Sequence, residues 1–286
     1  MSDRVTLPRP YRLATFAVAT LASLATLVGL LVPGFYRDAP VLLPQLYGQD
    51  LLTLAVAVPA LLASALFAAR GSLRGYVAWL GTLGYLLYAY ASYAFVAAFN
   101  ELFLVYVALL GLTLFTLVGG LARLDAGMVA ERFGDRPVRS YVAFQLLVAG
   151  LVGLLWLGEV VPATLAGSIP PSVVAAEIPT NAIHVLDLGV VLPAFALSAY
   201  WLARRRPWGY AFTGVLLVKG TTLGLSILSM ILFMLREGIP VALPQVVVFA
   251  GLSLLGAALV ARFLLALDGD RAGGSAGARQ PAVETR

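Results

Sequence analysis

The stretch WGYAFTGVLLVKGTTLGLSILSMILFM, residues 208–234, contains one charged side chain, Lys219, among its 27 positions. A helix of about 20 apolar residues is long enough to cross the hydrocarbon core of a bilayer. Lys219 lies near the middle of the stretch, too deep for its ammonium to reach either interface easily. The stretch therefore predicts a membrane-spanning helix that carries a charge at its centre.

The composition of the whole chain agrees with a membrane location. Apolar residues make up 61% of the 286 positions and charged residues 12%, whereas soluble domains are about half apolar and about a quarter charged. Backbone groups in lipid must be paired internally, so we expect an all-α fold. Eight segments are long and apolar enough to span: 12–33, 50–69, 75–97, 101–121, 140–158, 181–203, 208–234 and 242–265.

The arginines predict how these eight helices are oriented. With the N-terminus in the cytoplasm, 16 of the 18 arginines fall in cytoplasmic segments, and only Arg37 and Arg236 lie on the other side. This distribution follows the positive-inside rule. We therefore expect a multi-pass protein of the cell membrane with both termini in the cytoplasm. Residues 268–286, rich in Gly, Ala and charge, are predicted to be a disordered cytoplasmic tail.

An internal duplication is predicted from the alignment of residues 50–86 with residues 184–220. At this offset of 134, 12 of 37 positions are identical, including Pro59 with Pro193 and the Gly-Tyr pairs that begin at Gly75 and Gly209. The helices that flank these two stretches also align with each other, at slightly different offsets. We therefore expect two four-helix repeats, 1–127 and 128–267, in parallel orientation because each contains an even number of helices.

Polar side chains inside four of the helices predict a binding site between the two repeats. Charged groups at membrane depth usually face a bundle interior or a cavity. In the predicted helix 208–234, the other polar residues share one face with Lys219. We expect a polar funnel that opens outward with Lys219 at its floor. A direct Lys219–Asp187 ion pair and a bridged link both fit the sequence. The candidate site residues are Lys219, Asp187, His184, Asp50, Tyr85, Tyr88, Thr222 and Ser226.

Three functions remain open from the sequence. A small-solute or proton-linked transporter fits parallel repeats with a polar site at midplane. An intramembrane enzyme acting on a lipid-like substrate could use His184 with Asp187 as an acid–base pair. An accessory or receptor subunit would need Lys219 and Asp187 only as a structural pair. No catalytic residue is assigned.

The expected partners follow from the same residues. They are the lipid bilayer and a small-molecule or anionic ligand, because a buried lysine can bind an anion. Clustered loop arginines do not form the continuous basic face that binds nucleic acid, so no nucleic-acid partner is expected. With no cysteine and one histidine, the chain is expected to hold no cofactor and no metal.

Overall fold

The computed structural model describes residues 6–267 and contains only helices, with no strand, within that range. The expected all-α membrane protein is confirmed: seven helices are long and apolar enough to cross a membrane. The helices, in chain order, are α1 (Arg9–Leu31), α2 (Leu43–Ala69), α3 (Leu73–Val96), α4 (Phe103–Arg123), α5 (Ala126–Phe133), α6 (Arg139–Leu165), α7 (Pro171–Ala175), α8 (Ala182–Ala203), α9 (Pro207–Arg236) and α10 (Leu243–Ala266). The predicted tail, 268–286, lies outside the described residues.

Helix α3 occupies the predicted segment 75–97 but is not among the seven apolar helices. It is 24 residues long, and most of its side chains are buried. Five tyrosines lower its mean hydropathy, since a phenol is much less apolar than a leucine side chain. Helix α3 packs against α2, α4 and α9, and the hydroxyls of Tyr76, Tyr85 and Tyr93 donate hydrogen bonds to groups on those helices.

Two predicted helix ends are corrected by the structure. Helix α2 begins at Leu43, seven residues before the predicted start at 50. The added turns contain Gln45 and Gln49, and both residues line a cavity inside the protein. Helix α6 continues to Leu165 instead of ending at 158. Pro162 is compatible with this extension, although its ring costs one helical hydrogen bond.

Helices α2 and α8 each contain a short π-helical segment, which the sequence did not predict. The segments are Thr53–Ala57 and Asp187–Val191, which are 134 residues apart. Each is followed two residues later by a proline, Pro59 or Pro193. A proline lacks an N–H and its ring crowds the preceding carbonyls, so a wider turn just before it relieves the crowding. Such π-bulges occur frequently at functional sites.

Helix α9 lies at the centre of the molecule and packs against α2, α3, α8 and α10. The close approach of α8 and α9 depends on Gly209, where a Cβ atom would strike the backbone of Leu202. Gly75 has the same relation to the backbone of Ala68, which brings α3 against α2. Lys219, near the middle of α9, is thereby held inside the bundle.

Candidate functional site

A cavity of about 460 Å³ lies beside the C-terminal half of α9. We call it the Lys219 cavity, because Lys219 lines it together with Asp187 and Tyr88. Its walls come from α2, α3, α6, α8, α9 and α10 and consist chiefly of Val, Leu, Ile, Met and Phe side chains. Its volume is in the range of small-molecule binding sites. The arrangement suits a ligand that combines one polar group with apolar surface.

Lys219 is buried but lacks a hydrogen-bond partner. Its exposed fraction is 5%, and its Nζ forms no hydrogen bond within the part of the chain that the structure describes. The Nζ lies 4.2 Å from the centre of the Tyr88 ring, which is a favourable cation–π distance. Gly84 on α3 faces the lysine stem, and a Cβ at this position would lie in van der Waals contact with the Lys219 Cγ at 3.6 Å.

Asp187 supplies the second charged group of the cavity. It is the first residue of the second π segment and is 6% exposed. Its Oδ2 accepts a hydrogen bond of 2.8 Å from Trp156 Nε1 on α6. Its Oδ1 has no partner among the described residues. Because Lys219 Nζ is also unpartnered, the two groups share the cavity without a direct hydrogen bond.

His184 lies behind the cavity wall. Its ring packs 4.6 Å from the Trp156 ring, measured between centres. Its Nε2 lies 3.7 Å from Glu159 Oε2, an ion pair only when the imidazole is protonated. Trp156 lines the cavity, whereas His184 is not among its lining residues. The predicted acid–base pair of His184 and Asp187 is not formed, since each contacts a different part of Trp156.

Asp50 belongs to a separate polar cluster, the Asp50 cluster, which we define as Asp50, Tyr36 and Tyr93. The Tyr36 hydroxyl donates to Oδ2 at 2.6 Å and the Tyr93 hydroxyl donates to Oδ1 at 2.7 Å. The rings of Tyr36 and Tyr93 stack on each other, and Tyr106 stacks on Tyr93. The carboxylate lies outside the cavity lining and both its oxygens are paired. Asp50 was expected near the start of a helix, but it is the eighth residue of α2.

The three remaining predicted residues are also outside the cavity lining. The Tyr85 hydroxyl lies between Thr53 of α2 and Ser226 of α9, at 3.2 and 3.3 Å. Thr222 donates to the backbone oxygen of Val218 on its own helix. The structure thus brings Lys219, Asp187 and Tyr88 together at one cavity. The other five predicted residues lie elsewhere: His184, Asp50, Tyr85, Thr222 and Ser226.

Sequence reasoning missed Trp156 and Asp38. A tryptophan toward the end of a spanning helix is ordinarily an interface anchor, although a buried indole N–H usually needs an acceptor. Asp38, in the loop between α1 and α2, lines the outer part of the cavity. Its Oδ1 accepts from the Ala98 backbone N–H at 2.7 Å. Burial raises the pKa of the Asp38 carboxyl above its ordinary value.

The chemistry available at the cavity is binding by charge and shape. Within residues 6–267 no group of three or more His, Cys, Asp or Glu side chains is arranged to hold a metal ion. Comparison with protein-family models, with curated proteins and with solved structures found no match to this chain. The function therefore has to be argued from the geometry of the Lys219 cavity.

Proposed function

We propose that this protein is a membrane transporter that binds a small solute with an anionic group at Lys219. The observation that carries the proposal is the buried ammonium without a hydrogen-bond partner, at the end of a cavity of about 460 Å³. A buried ammonium without a hydrogen-bond acceptor is costly inside a membrane protein. An anion bound in the cavity would neutralise that charge.

The proposed architecture has eight membrane-spanning helices with both termini in the cytoplasm. Helix α3 would be the eighth span, because it is 24 residues long and is packed between spanning helices. The positive-inside distribution of the arginines supports the orientation. The cavity would then face outward, since its outer part includes Asp38 and Asn181 from loops on the predicted outer side.

We also propose that residues 1–127 and 128–267 are parallel repeats. Two structural features recur at the same offset of 134 residues: the π segments and the helix ends at Arg70 and Arg204. These arginines have nearly identical backbone angles, φ −87° and ψ 7° against φ −86° and ψ 7°. A binding site lined from both repeats suits transporters, whose repeats move relative to each other around the bound solute.

The two other functions have less support. An enzyme acting on a lipid-like substrate would need a reactive group in the cavity, but the imidazole of His184 lies behind Trp156. An accessory subunit with a structural Lys–Asp pair would place the ammonium on the carboxylate. Instead, Lys219 Nζ is without a hydrogen bond among the described residues.

The transport test uses the purified full-length chain in liposomes and two radiolabelled sulfonates, methanesulfonate and octanesulfonate. A sulfonate stays ionised, so it crosses bare lipid slowly and gives a low background. Wild-type protein is expected to take up at least one of the two, and Lys219→Met is expected to lower uptake at least about tenfold. Thr222→Val is the matched control, because the Thr222 hydroxyl lies outside the cavity lining and donates to the Val218 carbonyl of its own helix. Uptake of neither probe, or equal uptake by Lys219→Met, would overturn the proposal.

Stability measurements on the same variants separate binding from structure. Removing one partner of a buried ion pair costs about 3–5 kcal/mol, and removing both partners together restores much of it. We expect Lys219→Met to unfold near the wild-type SDS concentration, because Lys219 and Asp187 form no direct hydrogen bond that the substitution would break. A strong loss in Lys219→Met that Asp187→Asn rescues would instead identify a structural pair.

A further inference from the structure

The Lys219 cavity extends along helix α9, which lines it from Lys219 to Met234. These residues span about 22 Å at 1.5 Å per residue. A cavity of about 460 Å³ has room for a ligand with an apolar part of some length. A compact polar solute would leave most of the apolar wall uncovered.

The charged groups of Lys219 and Asp187 lie at the inner end of the cavity, and other polar side chains, Asp38 and Asn181 among them, lie at its outer end. Between the two ends, the wall along α9 is formed by Leu223, Ile227 and Met230. Water in this apolar middle part would have few hydrogen-bond partners. An alkyl chain would gain by covering the same surface.

The cavity also lies between two helices that meet at only one end. Tyr141, near the start of α6, packs against Phe263, near the end of α10, with ring centres 5.7 Å apart. Toward their opposite ends the two helices both line the cavity, through Val148 and Val152 of α6 and Phe249 of α10. In the first half of the chain, α1 and α4 pack together far more extensively. The gap between α6 and α10 therefore joins the cavity to the hydrocarbon region.

From these three observations we infer that the ligand is a single-chain anionic amphiphile that enters from the bilayer between α6 and α10. The inference rests on the proposed function and adds the substrate class to it. The anionic head binds Lys219, and the apolar chain lies along α9 toward Met234. No bond is made or broken, and the ligand exchanges lipid contacts for contacts with the cavity wall.

Trp156 provides a reporter, because it is one of four tryptophans and lines the cavity. The full-length chain is placed in nanodiscs of phosphatidylcholine, and its fluorescence is titrated with 6,7-dibromododecanesulfonate, whose bromines quench nearby indoles. A saturable quenching component is expected. It should disappear in Trp156→Phe and weaken at least about tenfold in Lys219→Met, because that variant lacks the ammonium that binds the head.

Competition tests both parts of the ligand. Unlabelled dodecanesulfonate should displace the probe and restore the fluorescence. Methanesulfonate lacks the alkyl chain and dodecyltrimethylammonium has the opposite charge, so neither compound should restore it. Val152→Phe narrows the gap and is expected to slow quenching at least about fivefold. Leu154→Phe is the matched control, since Leu154 faces away from the cavity and is 74% exposed.

The outcomes distinguish this inference from the proposed function. Uptake of methanesulfonate without saturable binding of the dodecyl probe would overturn the proposal of an amphiphilic ligand and leave the proposed transport function standing. Saturable binding of the dodecyl probe without uptake of any sulfonate would overturn the transport function and support the binding site for an amphiphile. Equal competition by methanesulfonate and dodecanesulfonate would also overturn the amphiphile, because the cavity would then recognise only the head.

Discussion

Two buried aspartates, Asp50 in the first half of the chain and Asp187 in the second, have opposite surroundings. Asp50 accepts hydrogen bonds from Tyr36 and Tyr93, one to each oxygen. Asp187 accepts one from Trp156, and its second oxygen is unpartnered among the described residues. The first carboxylate is enclosed by aromatic rings, whereas the second lines a cavity. Burial of a charged group inside a membrane protein therefore does not identify a site; an unmet hydrogen bond beside open space is the better indicator.

The largest expected difference in stability between the two halves concerns substitutions at two glycines, Gly29 and Gly158. In the sequence alignment, each begins a Gly-X-X-Val-Pro motif. A Cβ at Gly29 would collide with the Asp50 carboxylate and the Tyr36 hydroxyl, while a Cβ at Gly158 would have open space around it. Gly29→Ala should therefore cost about 2–4 kcal/mol through overpacking and a broken charged hydrogen bond. Gly158→Ala should be neutral or up to about 1 kcal/mol stabilising, because alanine favours helix.

Unfolding by SDS titration measures both glycine variants under the same conditions. Equal effects of Gly29→Ala and Gly158→Ala would contradict the description of the Asp50 cluster as closely packed. A loss of stability in Gly29→Ala alone would sharpen the contrast between the closely packed first half and the second half, which contains the cavity.

A smaller difference in stability is expected when the hydrogen-bond donor of each carboxylate is removed. Tyr93→Phe should cost about 2 kcal/mol, because it leaves a buried carboxylate oxygen without a donor. Trp156→Phe should cost about 1 kcal/mol or less, because water in the cavity can hydrate the freed Asp187 oxygen. Free energies of unfolding of the two variants provide the comparison. A larger loss for Trp156→Phe would mean that Asp187, and not Asp50, is the more important structural group.

The smallest expected effect concerns Asp38, which has one paired oxygen and one oxygen without a partner within residues 6–267. Burial raises the pKa of Asp38 above 3.8, so the folded carboxyl retains a proton that the unfolded chain releases. The folding stability that it contributes therefore falls as pH rises through 3.8 and up to the folded pKa. In Asp38→Asn that decline should disappear, which melting temperatures measured across this pH range would detect.

Glu101 is a control of the opposite sign for the pH experiment. A hydrogen bond from its own backbone N–H, together with its pairing to Arg37, lowers the pKa of Glu101. The folding stability that the Glu101 carboxylate contributes is present above its ordinary pKa and is lost as pH falls. Glu101→Gln should therefore remove a slope of opposite direction, and a common direction for both variants would contradict the assignment of Asp38.

The class of the protein and the positions of most helices could be predicted because each depends on local composition. A run of about 20 apolar residues has few alternatives to a membrane helix, and segments such as 208–234 contain that information within themselves. The predicted boundaries were wrong where polar residues face the protein interior, as at Gln45 and Gln49 of α2. The eighth span, the orientation and the repeats remain predictions.

The grouping of the polar residues depended on tertiary structure. From sequence, Asp50 and Asp187 both appeared as polar residues of a single site, because helical periodicity indicates which face a side chain occupies but not which neighbour it meets. The difference comes from residues distant in sequence. Tyr36 and Tyr93 fill the space around Asp50, whereas α6 and α10 diverge beside Asp187 and leave the Lys219 cavity open. The sequence determined that charges lie inside the membrane protein, and only the packing of the helices decided which of them lack a partner.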